Sequence, residues 1–149
     1  MRVADYKDLR VYQLAFETTM QVFELTKQFP HEERYALTDQ MRRSSRSVCS
    51  NIAEAWRKRR YEAAFASKLS DADAEAAETE THLSFAFRCG YLKADQHAKL
   101  KDAYDHICRQ MATMIRDAAS WCGNDRFIRE EFSAYFATSR SDAHDASTL

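Results

Sequence analysis

Apolar positions recur at steps of three and four residues over four long stretches of the chain, the period of a helix and not of a strand. In the first stretch Leu9, Tyr12, Phe16, Met20 and Phe23 form one stripe of a helix predicted from about Lys7 to Gln28. Phe29-Pro30 ends it, because the residue before a proline disfavours the α region. A second helix is predicted from about Glu32 to Arg59, with Glu32 and Glu33 in its first turn, where the dipole favours acids. Leu37, Met41, Ser45, Val48, Ile52 and Trp56 form its stripe. The third starts near Glu62 and carries Phe65, Leu69, Ala72, Ala76, Thr79, Leu83 and Ala86, with Gly90 placed as a left-handed stop. The fourth starts near Ala94, carries Leu100, Tyr104, Ile107, Met111, Met114, Ala118 and Trp121, and is predicted to stop at Gly123. Asn124 or Asp125 can cap a short fifth helix through about Phe136.

Helices of roughly 25 residues are each about 38 Å long. Connections of roughly two to six residues force neighbours to run antiparallel. The predicted fold class is therefore all-α: an antiparallel up-down-up-down four-helix bundle with a short C-terminal helix. The bundle domain spans residues 1–138, and the small, polar stretch 139–149 is expected to be a disordered tail.

Composition supports this reading. With 149 residues, 45% of them hydrophobic, the chain can bury one core. Two glycines and one proline are too few for a β-rich domain. No run of about 18 apolar residues suggests a membrane span. Residues Met1 to Arg10 lack an apolar signal-peptide core. Cys49, Cys89, Cys108 and Cys122 form no CxxC pair, so they are expected to be reduced thiols of a cytoplasmic protein.

The candidate chemistry is sparse. A di-iron bundle would need Glu-x-x-His pairs, but the positions three before the five histidines hold Gln28, Thr79, Ala94, Ala103 and Ser141. Glu78 with His82, and Asp102 with His106, have only the spacing of surface contacts. There is no GxSxG turn and too little glycine for a phosphate loop. No metal, no cofactor and no enzymatic activity are expected.

Charge is near balance, at −1 overall, yet it is unevenly placed. Seven basic residues and a single acid, Glu54, lie between Arg42 and Arg60. At about 100° per residue, Arg42, Arg46, Arg57 and Arg60 share one face of the second helix, with Arg43 beside them. Lys58 and Arg59 extend the charge at the helix end, where the dipole favours cations. Such a face suits phosphate contact with RNA or DNA. It equally suits a plain solvated face, or pairing with the acidic stripe Asp71, Glu75 and Glu78, within one protomer or across a subunit boundary. A polar stripe on the same helix, Ser44, Ser47, Asn51 and Glu54, fits close packing against another helix or subunit, or a solvent face.

Phe29-Pro30, Glu33, Tyr35, Leu37-Thr38, Gln40, Arg42-Arg43, Ser47 and Asn51-Ile52-Ala53-Glu54 resemble the four-helix bundle proteins encoded in intervening sequences of 23S ribosomal RNA genes. Asp8-Leu9, Val11-Tyr12-Gln13 and Ala15 are similar to that family's opening. Glu78, Glu80, Thr81, Leu83 and Gly90-Tyr91-Leu92 are similar to its third helix and stop. Ala55 and Ala74-Glu75 depart from it, standing where the family usually has glycine and Gly-Ser. The resemblance implies a non-enzymatic protein that assembles as five subunits. It is also similar to accessory proteins of diversity-generating retroelements, which bind nucleic acid and a reverse transcriptase. The functional expectation is a homo-oligomer, a pentamer, contacting nucleic acid through the arginine face. The alternative is a protein-interaction scaffold. Val22, Leu25 and Phe85, apolar but outside the main stripes, are expected to serve assembly.

Overall fold

The computed structural model describes residues 3–122. Four long helices, α1 (Arg10–Thr26), α2 (Leu37–Arg57), α3 (Glu62–Arg88) and α4 (Ala94–Arg116), are followed by a single turn and a half, α5 (Ala118–Cys122). Single 3-10 turns at Tyr6–Asp8 and His31–Glu33 precede α1 and α2, and no strand occurs among the described residues. Each helix packs on the next, α4 closes against α1, and the α2–α3 pair makes the most extensive contact. The expected fifth helix from Asn124 to Phe136, and the tail 139–149, lie outside the described residues.

The connections are built from identifiable caps. At the end of α3, Gly90 takes φ +80°, Tyr91 N–H bonds to Ala86 O at 2.9 Å and Gly90 N–H to Phe87 O at 3.0 Å. This pair of bonds is a Schellman motif, as the glycine placement predicts. The start of α2 differs from expectation. It begins at Leu37 and not near Glu32, because the chain leaves Pro30 extended and breaks again at Ala36. Glu33 bridges this break. One carboxylate oxygen accepts the Leu37 N–H at 3.2 Å, and the other accepts the Tyr91 hydroxyl at 3.2 Å. The acid thus serves an orphan donor of the helix terminus from the turn before it. The fourth helix is also interrupted, at Asp117, whose carbonyl accepts the Ser120 hydroxyl at 2.8 Å. Trp121 then lies beyond the break and meets Trp56 edge-on at 6.4 Å.

The core is continuous from Leu9 to Cys122, with Met41, Ile52, Phe65, Leu69, Leu83, Leu100, Tyr104, Ile107 and Met111 among its sealed side chains. The stripes of α2, α3 and α4 face it as the spacing predicts. That of α1 does not. Its core side is Val11, Ala15, Thr18, Thr19, Val22 and Thr26, while Phe16 and Met20 stay 46% and 42% exposed. Threonines can occupy a core face because their hydroxyls bond to their own helix. Thr18 donates to Leu14 O at 2.7 Å and Thr19 to Ala15 O at 2.8 Å. Of the three residues assigned to assembly, Val22 is fully buried in the core and Leu25 packs against it; Phe85 is 59% exposed.

Candidate nucleic-acid interface

Helix α2 has three flanks, and the structure distributes its cations among them. Arg42 leans toward α1. Its guanidinium carbon sits 4.7 Å from the centre of the Phe23 ring, and its Nε donates to Thr26 Oγ1 at 2.9 Å. This is cation–π geometry reinforced by a hydrogen bond, and it leaves Arg42 half-buried. Arg43 leans the other way, toward α3, where it binds Glu78 directly and lies 3.5 Å from Glu75. Hydrogen bonding to Glu78, and then its charge, raises the Arg43 pKa. Burial pushes the Glu78 carboxyl up, but hydrogen bonds from Arg43 and His82 outweigh this and hold it below its ordinary value.

Between these flanks runs the outer ridge. Arg46 and Arg57 are exposed there, and Lys58 and Arg60 continue it past the helix end. Arg57 lies 6.0 Å from the Tyr6 ring and Arg60 5.7 Å from the Tyr61 ring. Arg59 departs from the group. It is only 8% exposed, stacks on the Trp56 ring at 3.7 Å and donates to Trp56 O at 3.2 Å. Of the seven predicted cations, Arg46, Arg57, Lys58 and Arg60 are thus exposed along the outer side and end of α2.

The acidic stripe divides as well. Glu75 and Glu78 meet Arg43, whereas Asp71 lies 3.7 Å from Lys68, which also binds Glu54 at 2.9 Å. The polar stripe of α2 faces α3. Ser44 is sealed against Thr79, Asn51 bonds back to Ser47, and Glu54 reaches Lys68. The two spaced histidine pairs do meet their acids, His82 to Glu78 at 3.4 Å and His106 to Asp102 at 3.6 Å. Among the described residues no three of His, Cys, Asp and Glu converge on a metal-sized site. Among them, too, no helix is long and apolar enough to cross a membrane.

One feature of this surface is absent from the predicted site. Along α1, Tyr12, Phe16, Met20 and Phe23 form an apolar stripe on the side facing the α2 arginines, linked through Tyr6 and Tyr12 at 5.0 Å. The regular spacing of these residues carries the signal. It cannot tell whether the stripe points inward or outward.

The sequence profile of the family described as 23S rRNA-intervening sequence protein matches residues 7–113. Among solved structures, a protein of unknown function from the S23 ribosomal protein family of Bacteroides thetaiotaomicron is 27% identical, with a TM-score of 0.65. The similarity covers 70% of this chain and 97% of that one. No curated protein sequence matches significantly.

Proposed function

Because the chain belongs to the 23S rRNA-intervening sequence protein family, we propose that it is a non-enzymatic, cytoplasmic homo-oligomer that contacts RNA or DNA phosphates through the α2 ridge. The carrying observation is the α1–α2 seam, where an exposed apolar stripe containing Phe16 and Met20 runs beside the arginines. Exposed apolar stripes of this kind mark contact surfaces. A second copy covering the stripe, repeated into a closed ring of five, would set several copies of Arg46, Lys58 and Arg60 around one assembly. Many weak phosphate contacts then add through effective concentration. The free thiols Cys49, Cys89, Cys108 and Cys122 suit a reducing compartment.

A second reading is a scaffold that binds protein and no nucleic acid. It is favoured by the internal engagement of Arg42, Arg43 and Arg59, which leaves the ridge less basic than the sequence suggests. One experiment separates the two. Light scattering gives the mass of the wild type and of an Arg46→Glu, Arg60→Glu variant, and filter binding gives their retention of RNA and DNA from about 50 mM salt upward. Retention that falls steeply with salt, and is lost in the variant at unchanged mass, supports the nucleic-acid reading. No wild-type retention at the lowest salt removes it and leaves the scaffold. A monomer mass at micromolar concentration removes the assembly.

A further inference from the structure

We infer that the cleft between the start of α1 and the end of α4 binds a small amphipathic carboxylate, an apolar body carrying one anionic head. The cleft holds about 550 Å³, inside the roughly 300–1,000 Å³ range of small-molecule sites. Its apolar wall is Leu9, Val11, Met114 and Trp121, the first three of them core residues. A ligand's apolar body would therefore rest against Trp121 and the edges of these core residues.

Arg10 and Arg109 also line the cleft. Both are exposed, and among the described residues neither guanidinium has an ion-pair or hydrogen-bond partner. This contrasts with Arg42, Arg43 and Arg59, each of which is held by a neighbour. The acid on the lining, Asp8, is already engaged: its Oδ2 accepts the Asp5 N–H at 3.1 Å and closes the turn before α1. Two cations against one acid leave the lining one positive charge in excess, which matches a monoanion. Guanidinium groups also fit the fork geometry of a carboxylate. That excess favours an anionic head over a neutral one.

The cleft lies on the α1–α4 seam, whereas the proposed assembly and phosphate surface lies on the α1–α2 seam. The two inferences therefore stand or fall separately.

Calorimetry of the full chain with decanoate and with decanol tests the inference, alongside displacement of 1-anilinonaphthalene-8-sulfonate fluorescence. The expected result is one decanoate per chain, at least tenfold tighter than decanol. Arg10→Gln with Arg109→Gln should remove that preference and leave decanol binding as it was. Both arginines are exposed, so the wild-type helical spectrum should persist. Thr113→Trp should fill the cleft and displace both compounds. The inference is overturned if the wild type binds neither compound, if decanoate binds no tighter than decanol, or if the double variant keeps the preference.

Discussion

Thr79 of α3 donates a hydrogen bond to the Ser44 hydroxyl of α2 at 2.8 Å, with both side chains sealed from solvent. Ala72 and Ala76 are buried on the same stripe of α3, the helix with which α2 makes its most extensive contact. Ser44→Leu should force the two helices apart. Overpacking of this kind costs about 1–3 kcal/mol, whereas Ser44→Ala should cost about 1 kcal/mol through the lost hydrogen bond. Urea midpoints of the two variants give the comparison, and equal midpoints would mean that α2 and α3 are not tightly packed at this level.

Arg43 and Glu78 make a largely exposed ion pair, so its contribution should be small, below about 1 kcal/mol. The sign of its pH dependence is set by Glu78. Its folded pKa is depressed, so its stabilisation is complete above the unfolded carboxylate pKa of about 4.3 and is lost as pH falls through the folded value. Arg43→Gln should therefore lower the urea midpoint at neutral pH and have a shrinking effect toward pH 3. A deficit that stays constant in acid would show that Arg43 acts by packing and not by charge.

Val22 and Met20 are near neighbours on α1 with opposite environments, fully buried and 42% exposed. Val22→Ala should cost about 2 kcal/mol, the transfer of its lost carbons plus a small cavity. Met20→Lys should leave helix content intact and shift the mass seen by light scattering, because the stripe it sits on would no longer be apolar. If Met20→Lys unfolds the chain while Val22→Ala is harmless, the rotation of α1 is wrong.

Gly90 has no atom within 4 Å of where a Cβ would stand, so Gly90→Ala meets no clash. The penalty is conformational alone, about 1 kcal/mol for a left-handed residue. A thermal melt should show a modest drop with unchanged circular dichroism, and a rise in melting temperature would contradict the left-handed geometry.

Cys89 is exposed, while Cys49 and Cys122 are buried and burial raises both thiol pKa values. The half-buried Cys108 thiol is pushed up to about 12, first by burial and then by Asp73. Since the thiolate is the nucleophile, iodoacetamide at pH 8 should modify native protein first at Cys89. The other three should react only after unfolding. Peptide mass spectrometry reads the order, and early labelling of Cys108 would refute this placement.

The sequence by itself determined the four long helices, their order and most of their inner faces. Three stripes are unambiguous because Met41, Val48 and Ile52 of α2, Phe65, Leu69 and Leu83 of α3, and Leu100 and Ile107 of α4 each belong to one largely apolar arc. The left-handed stop at Gly90 was equally legible, since no other residue adopts that backbone as cheaply. The rotation of α1 was decided only by tertiary structure. That helix has two arcs, and the true inner one contains Thr18, Thr19 and Thr26, which read as polar until their hydroxyls are seen bonded to backbone carbonyls.

The fate of the arginines was settled the same way. A helical wheel gives the direction of Arg42, Arg43 and Arg46, but what each one meets depends on the neighbouring helix at that height. Arg42 finds the Phe23 ring, Arg43 finds Glu75 and Glu78, and Arg46 remains exposed. Periodicity is a local property of one helix and so is written in its residues. Partners come from the relative height and rotation of two packed helices, which no single stretch of sequence contains.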